Sequence, residues 1–234
     1  MLINNEFIFV FHILIVSIFT VIALKLKSEA LVALICVQAI LANIFVTKQM
    51  MLAGFCVTCT DIFTVGISLC LNFLQEFYDK KSAVKAIWIS FFCLIFYVLM
   101  SQVHLFYLPA NVDTFHEYFV KILSPMPRII VASVIAYLIS QYCDTAIYGF
   151  LKSKLNLTLK RVQGDNPKFI LRNYGSILTS QFIDTLIFSF LGLYGIVDNI
   201  LHIFIVSYLI KVLSIIVIIP TVATLVKIKT PGRQ

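Results

Sequence analysis

The chain consists of long, almost uninterrupted apolar stretches separated by short polar ones. A helix needs about 20 apolar residues to cross the roughly 30 Å hydrocarbon core of a bilayer, and seven stretches approach or reach that length. They lie at about 7–24, 30–47, 54–74, 86–106, 129–151, 173–193 and 200–226. None shows the strict apolar–polar alternation of a membrane β-barrel strand. The pattern predicts an all-α fold, an integral membrane bundle of seven transmembrane helices that forms one transmembrane domain over residues 1–234.

The first apolar stretch raises the alternative of a signal peptide. Met1–Glu6 carries no Lys or Arg and includes an acid, and no small-residue cleavage site follows Leu24, whereas a signal peptide has both a basic start and such a site. We therefore expect an additional N-terminal helix at about 7–24. The other six helices would keep their orientation without it.

Composition supports a lipid environment. Hydrophobic residues make up 61% of the 234 positions and charged residues only 12%. A soluble domain is about 45–50% apolar and about 25% charged, because its surface must be hydrated. The composition excludes an ordinary soluble globular domain.

The 18 basic residues behind the net charge of +7 are distributed unevenly over the predicted loops. If seven spans alternate the loops between two sides, 14 basic residues fall on one side and 3 on the other, with Lys211 inside the last span. Basic loops stay in the cytoplasm, so we expect the N-terminus outside and the C-terminus in the cytoplasm of a multi-pass membrane protein. The charge thus indicates membrane lipid, not nucleic acid, as the partner.

Motifs for cofactors, metals and catalysis are missing from the sequence. The six cysteines fall in predicted spans, where free Cys behaves as a small hydrophobe. Cys56 and Cys59 form a C-x-x-C without a second pair or a nearby His, which does not make a zinc site. No nucleotide-binding or nucleophile motif is present, so we expect no cofactor, no metal and no enzyme activity.

Two loops have a character of their own. Residues 107–127 place Phe115, Phe119 and Ile122 at helical spacing among charged residues, which predicts a short interfacial helix. The basic 152–172 segment is predicted to be a polar loop whose charge serves topology and contacts anionic lipid.

Ionisable residues at membrane depth are functional candidates because each one costs a few kcal/mol in lipid. Asp184 and Lys211 both fall near the midplane, at about 1.5 Å of rise per residue, and are predicted to form an ion pair; a purely structural role for this pair stays open. Asp61 is expected near mid-depth in the third span. The remaining polar candidates there are Asn43 in the second span, Asn72 and Glu76 at the cytoplasmic end of the third, and Asp144 in the fifth.

A short repeat connects two of the spans. Residues 141–151 read Q-Y-C-D-T-A-I-Y-G-F-L and residues 181–191 read Q-F-I-D-T-L-I-F-S-F-L, with six of eleven positions identical. The predicted helices run in opposite directions, and inverted repeats around a midplane site are common in secondary transporters. Chance or shared packing needs remain the alternative for so short a match. The spacing places Gln141 with Asp144, and Gln181 with Asp184, on one helix face each.

Carboxylates, amides and aromatic residues at depth suit a small planar polar ligand. A guanine-like base offers adjacent N–H donors to a carboxylate and a π-face to aromatic rings. A cationic amine also fits the acid excess, and the residues alone leave sugars, peptides and ions open.

Several segments resemble the queuosine precursor transporters, also called the vitamin uptake transporter family. They are Ala42-Asn43 through Lys48, Asn72-x-x-x-Glu76-x-Tyr78 followed by basic residues and Trp88, Pro127-Arg128 to Ser133-x-x-Ala136-Tyr137, the Q-x-x-D-T pair, and Lys211 followed by Pro220. The likeness covers a family core of about 30–226, six helices, and leaves the first helix as an addition.

This resemblance implies a transporter that imports a 7-deazaguanine (cyano or aminomethyl precursor, or queuine) across the inner membrane for tRNA modification. It implies that the substrate path is lined or supported by Asn43, Asn72, Glu76, Gln141, Asp144, Gln181, Asp184 and Lys211. A membrane subunit that depends on a separate ATPase is the alternative mechanism, a membrane-embedded enzyme is disfavoured, and a homo-oligomer is left open.

Overall fold

The structure is a computed structural model and describes residues 4–46, 48–58, 60–124, 127–158, 166–195 and 200–225. Its helices are α1 Asn5–Lys25, α2 Ser28–Phe45, α3 Asp61–Phe77, α4 Lys80–Leu105, α5 His116–Leu123, α6 Pro127–Thr158, α7 Asn166–Phe188 and α8 Ile200–Leu225. A π-helical segment, Ser189–Leu193, continues α7. The predicted all-helical membrane fold is confirmed in these coarse terms.

One predicted boundary is wrong. Residues 54–58 do not begin the third helix, because they belong to a β-hairpin made of β1 Gln49–Leu52 and β2 Phe55–Thr58, and α3 begins at Asp61. Cys56 therefore lies in an exposed strand and not in a span, while Cys59 lies outside the described residues. Hydropathy alone does not separate a short apolar strand from a helix, and Gly54 was the available turn signal.

The hairpin is closed by a two-residue turn and held by the start of α1. Ala53 and Gly54 both have positive φ, 48° and 84°, as a type I′ turn requires. The Ala53 amide donates to Glu6 Oε1 at 3.0 Å, and Asn5 Nδ2 donates to the Met51 carbonyl at 2.8 Å. These bonds fix the hairpin at the N-terminal end of α1.

Five helices are long and apolar enough to cross a membrane: α1, α2, α4, α8 and a stretch Pro167–Gly192 that joins α7 to the π-helical segment. The 17-residue α3 and the 32-residue α6 are not among the five. The count of seven spans and the orientation of the termini stay predictions.

Helix α3 lies at the centre of the bundle. It packs against α1, α2, α4, α6, α7 and α8, and most of its residues are buried. Gly66 permits the close approach of α1 and α2, since a Cβ at this position would collide with the side chains of Gln38 and Val16. The helix that carries many of the candidate residues is thus shielded on nearly all sides.

Outward faces of the other helices are apolar. Phe11, Phe92, Phe96 and Leu209 are all more than half exposed, while buried polar residues line the interior. A bundle with apolar residues on its outside and polar residues inside is stable only where lipid replaces water around it.

Helices α6 and α7 form the most extensive helix pair. The predicted 152–172 loop is largely helical, because α6 continues to Thr158 and α7 begins at Asn166; residues 159–165 lie outside the described part of the chain. Four basic residues expected in that loop, Lys152, Lys154, Lys168 and Arg172, therefore belong to helices, whereas Lys160 and Arg161 lie outside the described part. The short α5 confirms the helix predicted within 107–127, and its placement at the membrane interface stays a prediction.

Candidate functional site

A polar seam runs along α3 and faces α6, α7 and α8. Its members on α3 are Asp61, Ser68, Asn72 and Glu76, whose spacing of seven, four and four places them on one helix face. At 1.5 Å per residue the seam spans about 22 Å, most of the roughly 30 Å hydrocarbon core. Asp61, which was expected within the third span, is the first residue of α3, and its position near mid-depth of the membrane stays a prediction.

At one end of the seam a single ammonium group lies between two carboxylates. Lys211 Nζ is 2.6 Å from Asp184 Oδ2 and 3.8 Å from Asp61 Oδ1. The Lys211 side chain is only 4% exposed, so its charge is sheltered from solvent. The ion pair predicted between Asp184 and Lys211 is confirmed, and Asp61 is its additional neighbour.

The repeated segments of α6 and α7 contact each other reciprocally. Ser140 Oγ on α6 donates to Asp184 Oδ1 at 3.2 Å, and Ser180 Oγ on α7 donates to Asp144 Oδ1 at 3.3 Å. Each serine directly precedes the glutamine of its own repeat. The pseudo-symmetry suggested by the Q-x-x-D-T repeat therefore extends to the hydrogen bonds between the two helices.

Ser68 of α3 joins the two repeats. Its hydroxyl donates to Gln141 Oε1 at 3.2 Å and accepts from Gln181 Nε2 at 3.2 Å. One hydroxyl that is both donor and acceptor can bridge two amides in this way. Equivalent glutamines of the two repeats thus meet at one atom of the central helix.

The next turn of α3 adds an amide cluster beside Asp144. Asn72 Nδ2 donates to Asn173 Oδ1 at 3.0 Å and to Ser176 Oγ at 3.1 Å. Both Asn72 and Ser176 lie beside the Asp144 carboxylate. The structure therefore brings Asn72, Asp144 and Gln181 into one contiguous cluster, while their role in a common substrate path stays a prediction.

Several buried oxygens of this cluster have no hydrogen-bond partner among the described residues. They are Asn72 Oδ1, Asp144 Oδ2, Thr145 Oγ1 and Gln181 Oε1. An unsatisfied buried polar atom costs roughly 1–3 kcal/mol, and most buried polar groups in proteins are paired. We call these four atoms the acceptor cluster; they favour a ligand that brings hydrogen-bond donors.

Beyond the acceptor cluster, Glu76 binds two neighbouring helices to the end of α3. Arg172 Nη2 lies 2.9 Å from Glu76 Oε1, while Lys152 Nζ lies 3.4 Å from Glu76 Oε2 and Tyr148 donates to the same oxygen at 2.8 Å. Lys152 also donates to the Gln75 carbonyl at 2.6 Å. The network closes this end of the seam.

Arg172 was missed as a site residue because its segment was interpreted as a lipid-facing loop. Only 2% of its side chain is exposed, and its guanidinium lies 5.8 Å from the Tyr148 ring centre. Its place directly before Asn173, at the start of an apolar stretch, was the available signal.

A cavity of about 430 Å³ opens next to this network. It is lined by Gln75, Tyr78, Asp79, Lys80, Gly149, Lys152 and Ser153. Its volume falls in the usual range for small-molecule sites, about 300–1,000 Å³. At its edge, the Ser82 amide donates to Asp79, and this backbone hydrogen bond lowers the pKa of the Asp79 carboxyl.

Asn43 is not part of the seam. Its amide donates to the Ala39 carbonyl of its own helix at 2.9 Å, and no hydrogen bond among the described residues joins it to the acceptor cluster. Aromatic side chains do lie beside α7, since the rings of Phe182 and Tyr208 are 5.4 Å apart in an edge-on arrangement.

Apolar helices around a buried, charge-paired polar seam define a multi-pass membrane protein, and the comparisons make it a transporter. Residues 58–225 match the family described as "Putative vitamin uptake transporter", and the chain belongs to this family. It is 30% identical over 173 residues, 73% of this chain and 72% of the relative, to a "Probable queuosine precursor transporter" of Bacillus subtilis (strain 168). No solved structure matches.

These matches confirm the family resemblance, the transport of a small molecule and the multi-pass inner-membrane location expected from the sequence. The family match begins at residue 58, so Asn43 and α1 lie outside it. The predicted family core of 30–226 and the single domain of 1–234 stay predictions.

Proposed function

We propose that the protein imports a 7-deazaguanine, the cyano or aminomethyl precursor or queuine, for tRNA modification, as a secondary transporter. Family membership and the relative named a queuosine precursor transporter support this substrate class. The acceptor cluster is the structural observation that carries the proposal.

The edge chemistry of a deazaguanine fits that cluster. Its pyrimidine ring presents a ring N–H and an amino group side by side, which a carboxylate accepts in bidentate fashion. Asp144, with a free oxygen beside Ser180, is the proposed partner of this edge. Asn72 and Gln181 supply further acceptors from α3 and α7, and Gln141 holds the Ser68 bridge from the opposite repeat.

The remaining candidates support the path at its ends. The Asp184–Lys211 pair fixes α7 against α8, and Glu76 separates the acceptor cluster from the 430 Å³ cavity. With the predicted orientation that cavity opens to the cytoplasm and would receive the substrate after Glu76 and Arg172 separate. Asn43 has the weakest claim to a role, because its amide is bonded within α2.

Uptake in cells that cannot make the precursor tests the substrate. Cells that express the chain should convert supplied 7-cyano-7-deazaguanine into queuosine in their tRNA, whereas cells with an empty vector should not. Absence of queuosine despite normal membrane expression would refute the substrate assignment.

Site variants test the proposed roles in the same cells. Asp144→Asn and Gln181→Ala should reduce uptake by about tenfold or more, since each lost hydrogen bond to a charged or buried group is worth about 1.5–3 kcal/mol. The matched control is Asp113→Asn, a carboxylate that is exposed in the segment before α5. Unchanged uptake in Asp144→Asn or Asp184→Asn, at equal expression, would remove that residue from the site.

A dependence on a separate ATPase is distinguished by reconstitution. Purified protein in liposomes should transport the base alone if it is a secondary transporter. Failure in liposomes together with success in cells would favour the ATPase-dependent alternative.

A further inference from the structure

The proposed substrate site leaves Asp61 without a role. This residue begins α3, is 5% exposed, and its Oδ1 lies 3.8 Å from Lys211 Nζ. It belongs neither to the acceptor cluster nor to the repeated segments. Its burial beside an existing ion pair nevertheless demands a physical explanation.

The charges around Lys211 do not balance. Asp61, Asp184 and Lys211 form a buried triad, with exposed side-chain fractions of 8%, 14% and 4%. With all three groups ionised, two negative charges face one positive charge. Leaving a buried charge uncompensated costs several kcal/mol, so the triad favours the binding of one more positive charge.

The hydrogen bonds show where that charge fits. Asp184 accepts from Lys211 at 2.6 Å and from Ser140 at 3.2 Å. Asp61 is beyond hydrogen-bond distance of Lys211, and its Oδ2 is buried without a hydrogen-bond partner in the part of the chain that the structure describes. The open position of the triad is therefore Asp61 Oδ2.

The charged groups that act on Asp61 are Lys211 of α8 and Asp184 of α7. The other helices packed around α3 carry further titratable groups. His12 of α1 packs edge-on against Phe63 at 4.8 Å, and Asp144 of α6 is bonded to Ser180. The ring of His104 of α4 lies 5.9 Å from that of Phe119, and Glu29 lies in the first turn of α2. Among the described residues, none of these four side chains forms a hydrogen bond or ion pair with Asp61, so the missing positive charge does not come from them.

We propose that the triad Asp61–Lys211–Asp184 is the proton-coupling site of this transporter. One proton binds Asp61 Oδ2, converts the carboxylate into a carboxylic acid and leaves again in each transport cycle. This proposal rests on the proposed secondary transport but not on the identity of the substrate.

A proton suits the site better than a metal ion. An ammonium group 3.8 Å from Asp61 repels any cation that must keep its full charge, whereas a proton neutralises the carboxylate. Within the part of the chain that the structure describes, no group of three or more metal-ligating residues occurs.

Proton binding at Asp61 also changes the attraction between the helices. While Asp61 is ionised, Lys211 is attracted to both α3 and α7; once Asp61 is neutral, the attraction to α3 disappears and Asp184 alone holds Lys211. The first turn of a helix favours a carboxylate through its dipole, which keeps the ionised form accessible. The proton therefore changes how strongly α8 is held to the central helix that carries the acceptor cluster.

A hydroxyl pair precedes Asp61 and provides an approach for the proton. The hydroxyls of Thr58 and Thr60 lie 3.0 Å apart, with Thr58 half-buried at the end of β2 and Thr60 buried. Hydroxyl groups both donate and accept, so they can pass a proton from the hairpin side toward Asp61.

The proposal is tested in proteoliposomes with 7-cyano-7-deazaguanine as the probe. With one proton per substrate, a gradient of about one pH unit can accumulate the probe about tenfold, since about 1.4 kcal/mol corresponds to a factor of ten. In Asp61→Asn this accumulation should fall to about onefold, while exchange of labelled for unlabelled probe continues. Asp61→Glu keeps a titratable group and should retain accumulation, and Asp113→Asn should behave as wild type.

Tenfold accumulation by Asp61→Asn, or accumulation by the wild type that follows sodium instead of protons, would overturn the proposal. Infrared difference spectra of the purified protein provide a readout that needs no substrate. Acidification should produce a composite carbonyl band, because all 11 Asp and Glu side chains can become carboxylic acids. One component, the Asp61 band, should shift in Asp61→Glu and be missing from Asp61→Asn, while the other components remain.

The two measurements separate this proposal from the substrate assignment. If the wild type does not exchange the probe but shows the Asp61 band, the substrate is wrong and proton binding at the triad stands. If the band persists in Asp61→Asn, the proton binds elsewhere and the coupling site is refuted, whatever the substrate.

Discussion

Replacing Glu76 by Gln should destabilise the protein more than any other change in the network at the end of α3. The substitution keeps the shape of the side chain and removes its charge, so the guanidinium of Arg172 stays buried, at 2% exposure, without its carboxylate. Removing one partner of a buried ion pair costs about 3–5 kcal/mol. For a chain of this size we expect a fall in melting temperature of about 6–20 °C, at about 2–4 °C per kcal/mol.

The neighbouring variants supply the comparison. Lys152 contacts the same carboxylate, but its side chain is 30% exposed, so Lys152→Gln should cost less than about 1 kcal/mol. Arg172→Gln should fall between the two, because Glu76 keeps Lys152 and Tyr148 as partners.

Thermal unfolding in one detergent, followed by intrinsic fluorescence, ranks these variants. The double variant Glu76→Gln/Arg172→Gln should lose less stability than the sum of the single losses, by about 0.5–3 kcal/mol, if the two groups are coupled. Equal melting temperatures for Glu76→Gln and Lys152→Gln, or strict additivity in the double variant, would refute the assignment of a buried ion pair at this end of the seam.

Three further outcomes follow from the contacts. Ser68→Ala removes both hydrogen bonds to the paired glutamines and should lower stability by about 1–3 kcal/mol, measured as a melting shift, with the smaller effect of Ser68→Thr as its control. The hydrogen bond from the Ser82 amide lowers the pKa of Asp79 in the folded protein, so this bond stabilises the start of α4 at pH values above the pKa of the unfolded state. The stabilisation is lost as the pH falls through the pKa of the folded state. Asp79→Asn should therefore flatten the acid side of a plot of melting temperature against pH, and an unchanged acid side would contradict this. Ala53→Asn should raise the melting temperature slightly, because Asn tolerates the positive φ of 48° found there better than Ala, whereas Ala53→Val should lower it.

Hydropathy predicted most of the helices, because lipid requires long apolar segments whatever their tertiary contacts. The spans at 7–24, 30–47 and 200–226 agree with α1, α2 and α8 to within about two residues at each end. It failed at residues 54–58, where the second hairpin strand is as apolar as a helix, and it gave no reason to extend α6 to Thr158. There, Lys152 donates to the end of α3, a tertiary contact that no local pattern contains.

The candidate site was predictable where charge had to be compensated. Asp184 and Lys211 could be paired from depth alone, since each is costly in lipid without the other. The serines at positions 140 and 180 could not be assigned, because a serine in a transmembrane helix can also bond its own backbone. Arg172 was assigned to lipid because counting loop charges treats every basic residue near a span as exposed.

The reciprocal bonds between α6 and α7 have a consequence for how this sequence can change over generations. Ser140 is bonded to the aspartate of the other repeat, 44 positions away, and not to Asp144 of its own. Each repeat therefore holds one half of two polar pairs, so neither half can drift alone. Among relatives, replacements at position 140 should be matched by replacements at 184, and those at 180 by changes at 144. Such crosswise covariation would be evidence for an ancestral duplication, which the eleven-residue match within this one chain is too short to establish.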